Sequence, residues 1–107
     1  NTLNWVMMEL GERDEKKETI HIQGLTQEIF DTMEVAASSK KLLLNYRQHG
    51  ENLIVDIDPN PVKIILKNLL DNAIKFTKEG EEVGLALFAS LDYLGWEVSN
   101  PGQVITE

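Results

Sequence analysis

The sequence predicts an α+β fold. Two stretches carry apolar residues at helical spacing, near residues 25–37 and 61–76. Five short stretches alternate apolar and polar residues as strands do. The composition suits one small core: 107 residues, 42% hydrophobic and 26% charged, ordinary values for a globular domain.

Each element can be justified in order. Residues 3–10 (LNWVMMEL) are apolar and helix-compatible, and residues 11–18 (GERDEKKE) form a charged connection led by a glycine. Thr19 to Gln23 alternates as a short strand. Gly24 then opens a helix whose stripe is Leu25, Ile29, Met33 and Ala36, with Glu28, Asp31 and Glu34 facing elsewhere. Ser38-Ser39-Lys40 ends it. Leu42 to Arg47 is a strand with Leu42, Leu44 and Tyr46 on one face, followed by a polar turn at Gln48-His49-Gly50. Leu53 to Ile57 is the next strand, and its closeness to the previous one predicts an antiparallel hairpin. In Asp58-Pro59-Asn60-Pro61, Asn60 suits a helix cap and Pro61 the first helical position. The helix runs to Phe76, with Val62, Leu66, Leu69 and Ala73 on its apolar stripe and Ile65 and Leu70 at the margins. Residues 82–90 and 94–99 are two strands joined by a turn at Asp92-Tyr93, and Asn100-Pro101-Gly102 is a loop.

The charge excludes some functions. A net charge of -8 and a pI near 4.7 leave no basic face for non-specific nucleic-acid binding. Without cysteine there is no disulfide framework and no thiolate metal site. No apolar run reaches the roughly 18 residues of a membrane span. The chain starts at Asn1 and stops at Glu107; both ends read as cuts in a longer protein.

The chemistry lies on the second helix. At about 100° per residue, Asn68, Asn72 and Lys75 (i, i+4, i+7) form a stripe beside the apolar one. Asparagine carbonyls are neutral hard ligands suited to a Mg²⁺ that keeps several waters, and a lysine offsets phosphate charge. Spacing alone favours the plainer reading, the polar rim of an ordinary amphipathic helix.

The run Asn68-Leu69-Leu70-Asp71-Asn72-Ala73-Ile74-Lys75-Phe76-Thr77 resembles the N box of sensor histidine kinases, usually N-L-L-x-N-A-x-K-F/Y-T. Val55-Asp56-Ile57-Asp58-Pro59 resembles the strand and turn that lead into that helix, and residues 19–38 the first strand and helix of the same domain. The resemblance implies a two-layer α/β sandwich of the histidine-kinase ATPase (Bergerat) type, incomplete at its C-terminus. It implies ATP and Mg²⁺ as cofactors, with Asn72 as the metal ligand, Asn68 assisting at the metal or its waters, and Lys75 at the phosphates. Related chaperone and gyrase ATPases often have a water-activating glutamate at the position of Asn68; an amide cannot act as that base, which fits phosphoryl transfer to histidine.

The family's following glycine box usually reads D-x-G-x-G. Here Asn100 stands at the Asp position, where its carbonyl can still accept a hydrogen bond from the adenine amino group. Gly102 is kept, and Val104 replaces the second glycine. Those departures keep open a second reading, a regulatory or interaction module of the same fold that does not bind nucleotide. A third reading is an ATPase of the same superfamily, such as an anti-sigma-factor kinase or a chaperone-like enzyme; Asn68 disfavours a hydrolase. His21 and His49 lack the acidic residue that follows a phosphoacceptor histidine.

The resemblance also divides the chain, with residues 1–18 as the end of a dimerisation helix and its linker and 19–107 as the N-terminal part of the catalytic domain. The partners it implies are a dimerisation and phosphoacceptor domain of the parent, a response regulator and a second copy in a homodimer. The kinase domain would be cytoplasmic, the parent anchored in the inner membrane. Final strands of the sheet are expected to be missing, leaving an edge that pairs with another copy.

Overall fold

The computed structural model describes residues 2–10 and 17–101. The elements in chain order are β1 (Thr2–Glu9), β2 (Glu18–His21), α1 (Ile22–Ser39), β3 (Leu43–Gly50), β4 (Ile54–Ile57), α2 (Pro59–Phe76), β5 (Glu82–Ala89) and β6 (Tyr93–Asn100). Four strands form one sheet in the order β1-β6-β5-β3, and β2 pairs with β4 in a separate two-stranded sheet. The α+β expectation holds.

Helices α1 and α2 pack on one face of the larger sheet. Ile22, Leu25 and Ile29 from α1 meet Val62, Leu66 and Leu70 from α2, over Val83, Leu85 and Leu87 of β5 and Leu94, Trp96 and Val98 of β6. Trp96 has no exposed surface, so its indole N–H needs a partner inside the protein. It donates to Thr26 Oγ1 at 3.0 Å, and the Thr26 hydroxyl donates to the Ile22 carbonyl at 2.8 Å.

The end of α1 is built by its backbone. Lys41 lies in the left-handed region at φ 62°. Leu42 N–H reaches the Ala37 carbonyl and Lys41 N–H the Ser38 carbonyl, the paired bonds of a Schellman ending. The buried Leu42 is its apolar contact.

Several sequence expectations need correction. Of residues 3–10, read as helical, all but Leu10 belong to β1, which runs antiparallel along β6 from Thr2↔Asn100 to Glu9↔Tyr93. A helix this short is marginal without tertiary support, whereas the edge of β6 offers a full row of backbone partners and lets Val6 and Met8 pack against the core. The β6 edge is therefore covered by the chain's own first strand, and the outer edges of the sheet are β1 and β3.

The hairpin between β3 and β4 does not form. Strand β3 pairs parallel with β5, and β4 pairs antiparallel with β2. The bond from Ile22 N–H to the Leu53 carbonyl at 3.0 Å draws the segment after β3 to the start of α1. The β3 strand also continues through Gln48-His49-Gly50, where a turn was expected, because His49 and Gly50 stay in register with Phe88 and Ala89. Gly50 sits at φ 94°, and a Cβ there would come within 2.0 Å of the Ala89 carbonyl oxygen, so the close approach requires glycine.

Smaller differences concern caps and faces. Helix α1 starts at Ile22, with Gly24 already inside it. In α2 the cap is Asp58, whose carboxylate accepts the Asn60 backbone N–H at 3.0 Å, and Pro59 leads the helix. Leu70 and Ile74 lie in the buried stripe of α2, while Leu69 is only partly buried and Ile65 is exposed. Tyr93 belongs to β6, and the turn before it is closed by Ser90.

Candidate functional site

Helix α2 is held at both ends and along one side. Asp58 caps its start. At its end, the Thr77 hydroxyl donates to the Ala73 carbonyl at 2.6 Å, and Lys40 Nζ reaches the Ile74 and Lys75 carbonyls, each at 2.7 Å. A cation here adds to the Thr77 N–H bond that the Ile74 carbonyl already accepts, and opposes the negative end of the helix dipole. With Val62, Leu66, Leu70, Ala73 and Ile74 buried, the opposite face is fixed toward solvent.

That face carries the candidate residues. Asn68, Asn72 and Lys75 are all exposed, one helical stripe bordered by the exposed Ile65 and Phe76. The Lys75 ammonium lies 5.5 Å from the centre of the Phe76 ring, within range of a cation–π attraction. The stripe thus offers two amide carbonyls and one ammonium in a row.

Asn100 is the last residue of β6 and is half-buried. It lines a polar cavity of about 570 Å³ together with Asn45, Arg47, Glu82, Gly84 and Ser99; none of Asn68, Asn72 and Lys75 lines it. Gly84 leaves room in its wall, since a Cβ there would come within 2.7 Å of Ser99 Oγ. Asn45, Gly84 and Ser99 sit side by side across β3, β5 and β6, on the sheet face away from the helices. Gly102 and Val104 lie outside the described residues.

Sequence reasoning missed two features. One is this cavity, whose only local signal was a glycine inside the apolar run of β5. The other is Lys40, which sits 34 residues before its partner carbonyl on Ile74 and has no sequence signature. Among the described residues, no cluster of three or more His, Cys, Asp or Glu could hold a metal ion, and no helix is long and apolar enough to cross a membrane.

No protein-family model matches the chain. Over 74 residues, 68% of its length, the chain is 35% identical to sensor protein EvgS of Escherichia coli strain K12, and 34% identical to EvgS of the O157:H7 strain. It spans 6% of the length of each of these curated relatives. Among solved structures, the catalytic domain of histidine kinase ThkA superposes with a TM-score of 0.74 at 23% identity, over 85% of this chain and 62% of that one. The cytoplasmic segment of histidine kinase QseC gives 0.63 at 13% identity, over 90% and 85%. Full-length ShkA in complex with AMPPNP gives 0.60 at 23% identity, over 74% and 17%. The chain therefore carries the fold of a histidine-kinase catalytic domain and is related in sequence to sensor proteins of Escherichia coli.

Proposed function

We propose that the chain is the metal- and phosphate-holding part of the ATP-binding domain of a sensor histidine kinase, a larger protein that phosphorylates one of its own histidines in two-component signalling. The observation that carries this reading is the exposed stripe of Asn68, Asn72 and Lys75 on α2, set in a histidine-kinase catalytic fold. Asn72 Oδ1 would ligate Mg²⁺, Asn68 would hold the metal or its waters, and Lys75 would offset phosphate charge. ATP supplies the phosphoryl group; the residues of α2 position it and balance its charge. Asn100 would accept the hydrogen bond of the adenine amino group, with Gly102 beside the base.

The partners are part of the proposal. ThkA has been solved with a response regulator, TrrA, and a response regulator is proposed for the parent here, as are homodimerisation and a dimerisation domain bearing the phosphoacceptor. The domain is proposed to work in the cytoplasm, with the parent anchored in the inner membrane. Residues 1–18, expected as the end of a dimerisation helix and its linker, are proposed as the connection toward the dimerisation domain, with residues 2–9 folded as strand β1.

Calorimetric titration with Mg·AMPPNP tests the reading. The chain, or a version extended further along its reading frame, should bind, and Asn72→Ala should weaken binding roughly tenfold or more through loss of a metal ligand. Equal binding by Asn72→Ala would remove α2 from the site. The second reading, a fold-preserving module without nucleotide, draws on the uncharged Asn100 and on Val104. It predicts no binding by either version.

A further inference from the structure

The larger sheet has one face under the helices and one facing solvent, and the solvent face is unusually apolar at one end. Alternation along the strands puts Leu3, Trp5, Met7 and Glu9 of β1 on it. Trp5 pairs with Glu97, Met7 with Gly95 and Glu9 with Tyr93; Gly95 pairs in turn with Phe88, and Phe88 with His49. Leu3, Trp5, Met7 and Tyr93 are each about half exposed or more. The rings are ordered: His49 stacks on Phe88 with centroids 4.6 Å apart, and Trp5 lies 5.4 Å from Phe88. Gly95 has no side chain to fill the space between them, and a hollow of about 340 Å³ results, walled by Trp5, Met7, His49, Phe88 and Tyr93.

The rim has a sign. By the same alternation, Glu9, Glu82 and Glu97 share this face with one guanidinium, Arg47, which stands in the same cross-strand row as Glu97, with Ala86 between them. Glu9 and Glu97 flank the aromatic hollow through their pairing with Tyr93 and Trp5. The whole chain carries -8. Exposed aromatic anchors around a hollow mark an interaction surface, and an acidic rim selects for a basic partner. A second copy is disfavoured, because an isologous contact would set the same carboxylates against one another. An anionic lipid surface is disfavoured for the same reason.

We propose that this face docks a basic amphipathic segment of a protein partner. Its apolar side chains enter the hollow between Trp5, Phe88 and Tyr93, and its Lys or Arg side chains meet Glu9 and Glu97. The docking is independent of nucleotide, since none of Asn68, Asn72 and Lys75 lines the hollow.

The two tryptophans make the test direct. Trp5 is half exposed on the docking face, while Trp96 is buried and bonded to Thr26, so its indole N–H resonance reports that the fold is intact. The isotope-labelled chain is titrated with three synthetic peptides, alternating leucine–lysine, leucine–glutamate and serine–lysine. The leucine–lysine peptide should shift the Trp5 indole and the amides of Met7, Phe88 and Tyr93 and leave Trp96 unmoved, while the other two bind roughly tenfold or more weakly. Trp5→Ser and Glu97→Lys should each weaken it by a similar factor, with Trp96 unmoved. Equal binding of the leucine–glutamate peptide, shifts confined to other faces, undiminished binding by both variants, or self-association through Trp5 in place of peptide binding would each overturn the proposal.

Discussion

At the scale of single residues, the interior is arranged around a few polar atoms that have been given partners. Among the described residues, no buried side-chain nitrogen or oxygen lacks a hydrogen bond, and the pair Thr26–Trp96 shows how that is reached in the deepest layer. Tyr46 is the neighbouring case. Its ring packs beside Phe30, its hydroxyl donates to Gln48 Oε1 at 2.9 Å, and burial pushes the phenol up to about 12 against an opposing hydrogen bond with Thr26. The folded chain thus holds this proton up to about pH 12, while the unfolded chain releases it near pH 10. Between those values the unfolded state binds fewer protons, so stability falls as pH rises. Tyr46→Phe should remove this part of the alkaline loss. Urea unfolding of both proteins from pH 8 to pH 11.5 checks it; parallel stability curves would show that Tyr46 does not contribute.

At the scale of elements, the contrast between α2 and β3 explains what could be read in advance. Helix α2 was legible to Phe76, though its start was placed two residues late, because its signals are local: a proline entry and apolar residues every three or four positions. Its candidate site was legible for the same reason, as Asn68, Asn72 and Lys75 share a face by spacing alone. Strands β3 and β4 were legible as strands, and Leu44, Tyr46, Val55 and Ile57 face inward as the alternation implies. Their partners were not, because pairing is decided by residues far along the chain. Lys40 belongs to that second class. Replacing it by Met keeps the stem and removes the cation that caps α2, and should cost about 1 kcal/mol. The loss should concentrate at the helix end, so amide hydrogen exchange ought to quicken at Lys75, Phe76 and Thr77 more than at Leu66. Uniform quickening along α2 would mean that Lys40 acts on global stability instead.

At the scale of the molecule, β1 is what the sequence concealed most completely. LNWVMMEL satisfies helix and strand patterns alike, and only the bare edge of β6 decides between them. Removing residues 2–10 would leave the β6 edge unpaired and withdraw the half-buried Val6 and Met8 from the core margin, and a bare edge is a template for another chain. The shortened protein should lose a few degrees of melting temperature and sediment with a larger share of associated species than the full chain. Unchanged melting with no added association would show that β1 adds nothing to the sheet.

The pairing of Thr2 with Asn100 also sets an order of events during synthesis. The ribosome releases the β1 segment early and its partner β6 late, with both helices and four strands emerging in between. Until then Trp5, Met7 and their neighbours have no sheet to join. Closing so long a loop is entropically slow and favours late formation. The earliest strand of this segment is thus among its last to fold, and nascent chains stalled before Leu94 would display it to whatever chaperone waits at the exit tunnel.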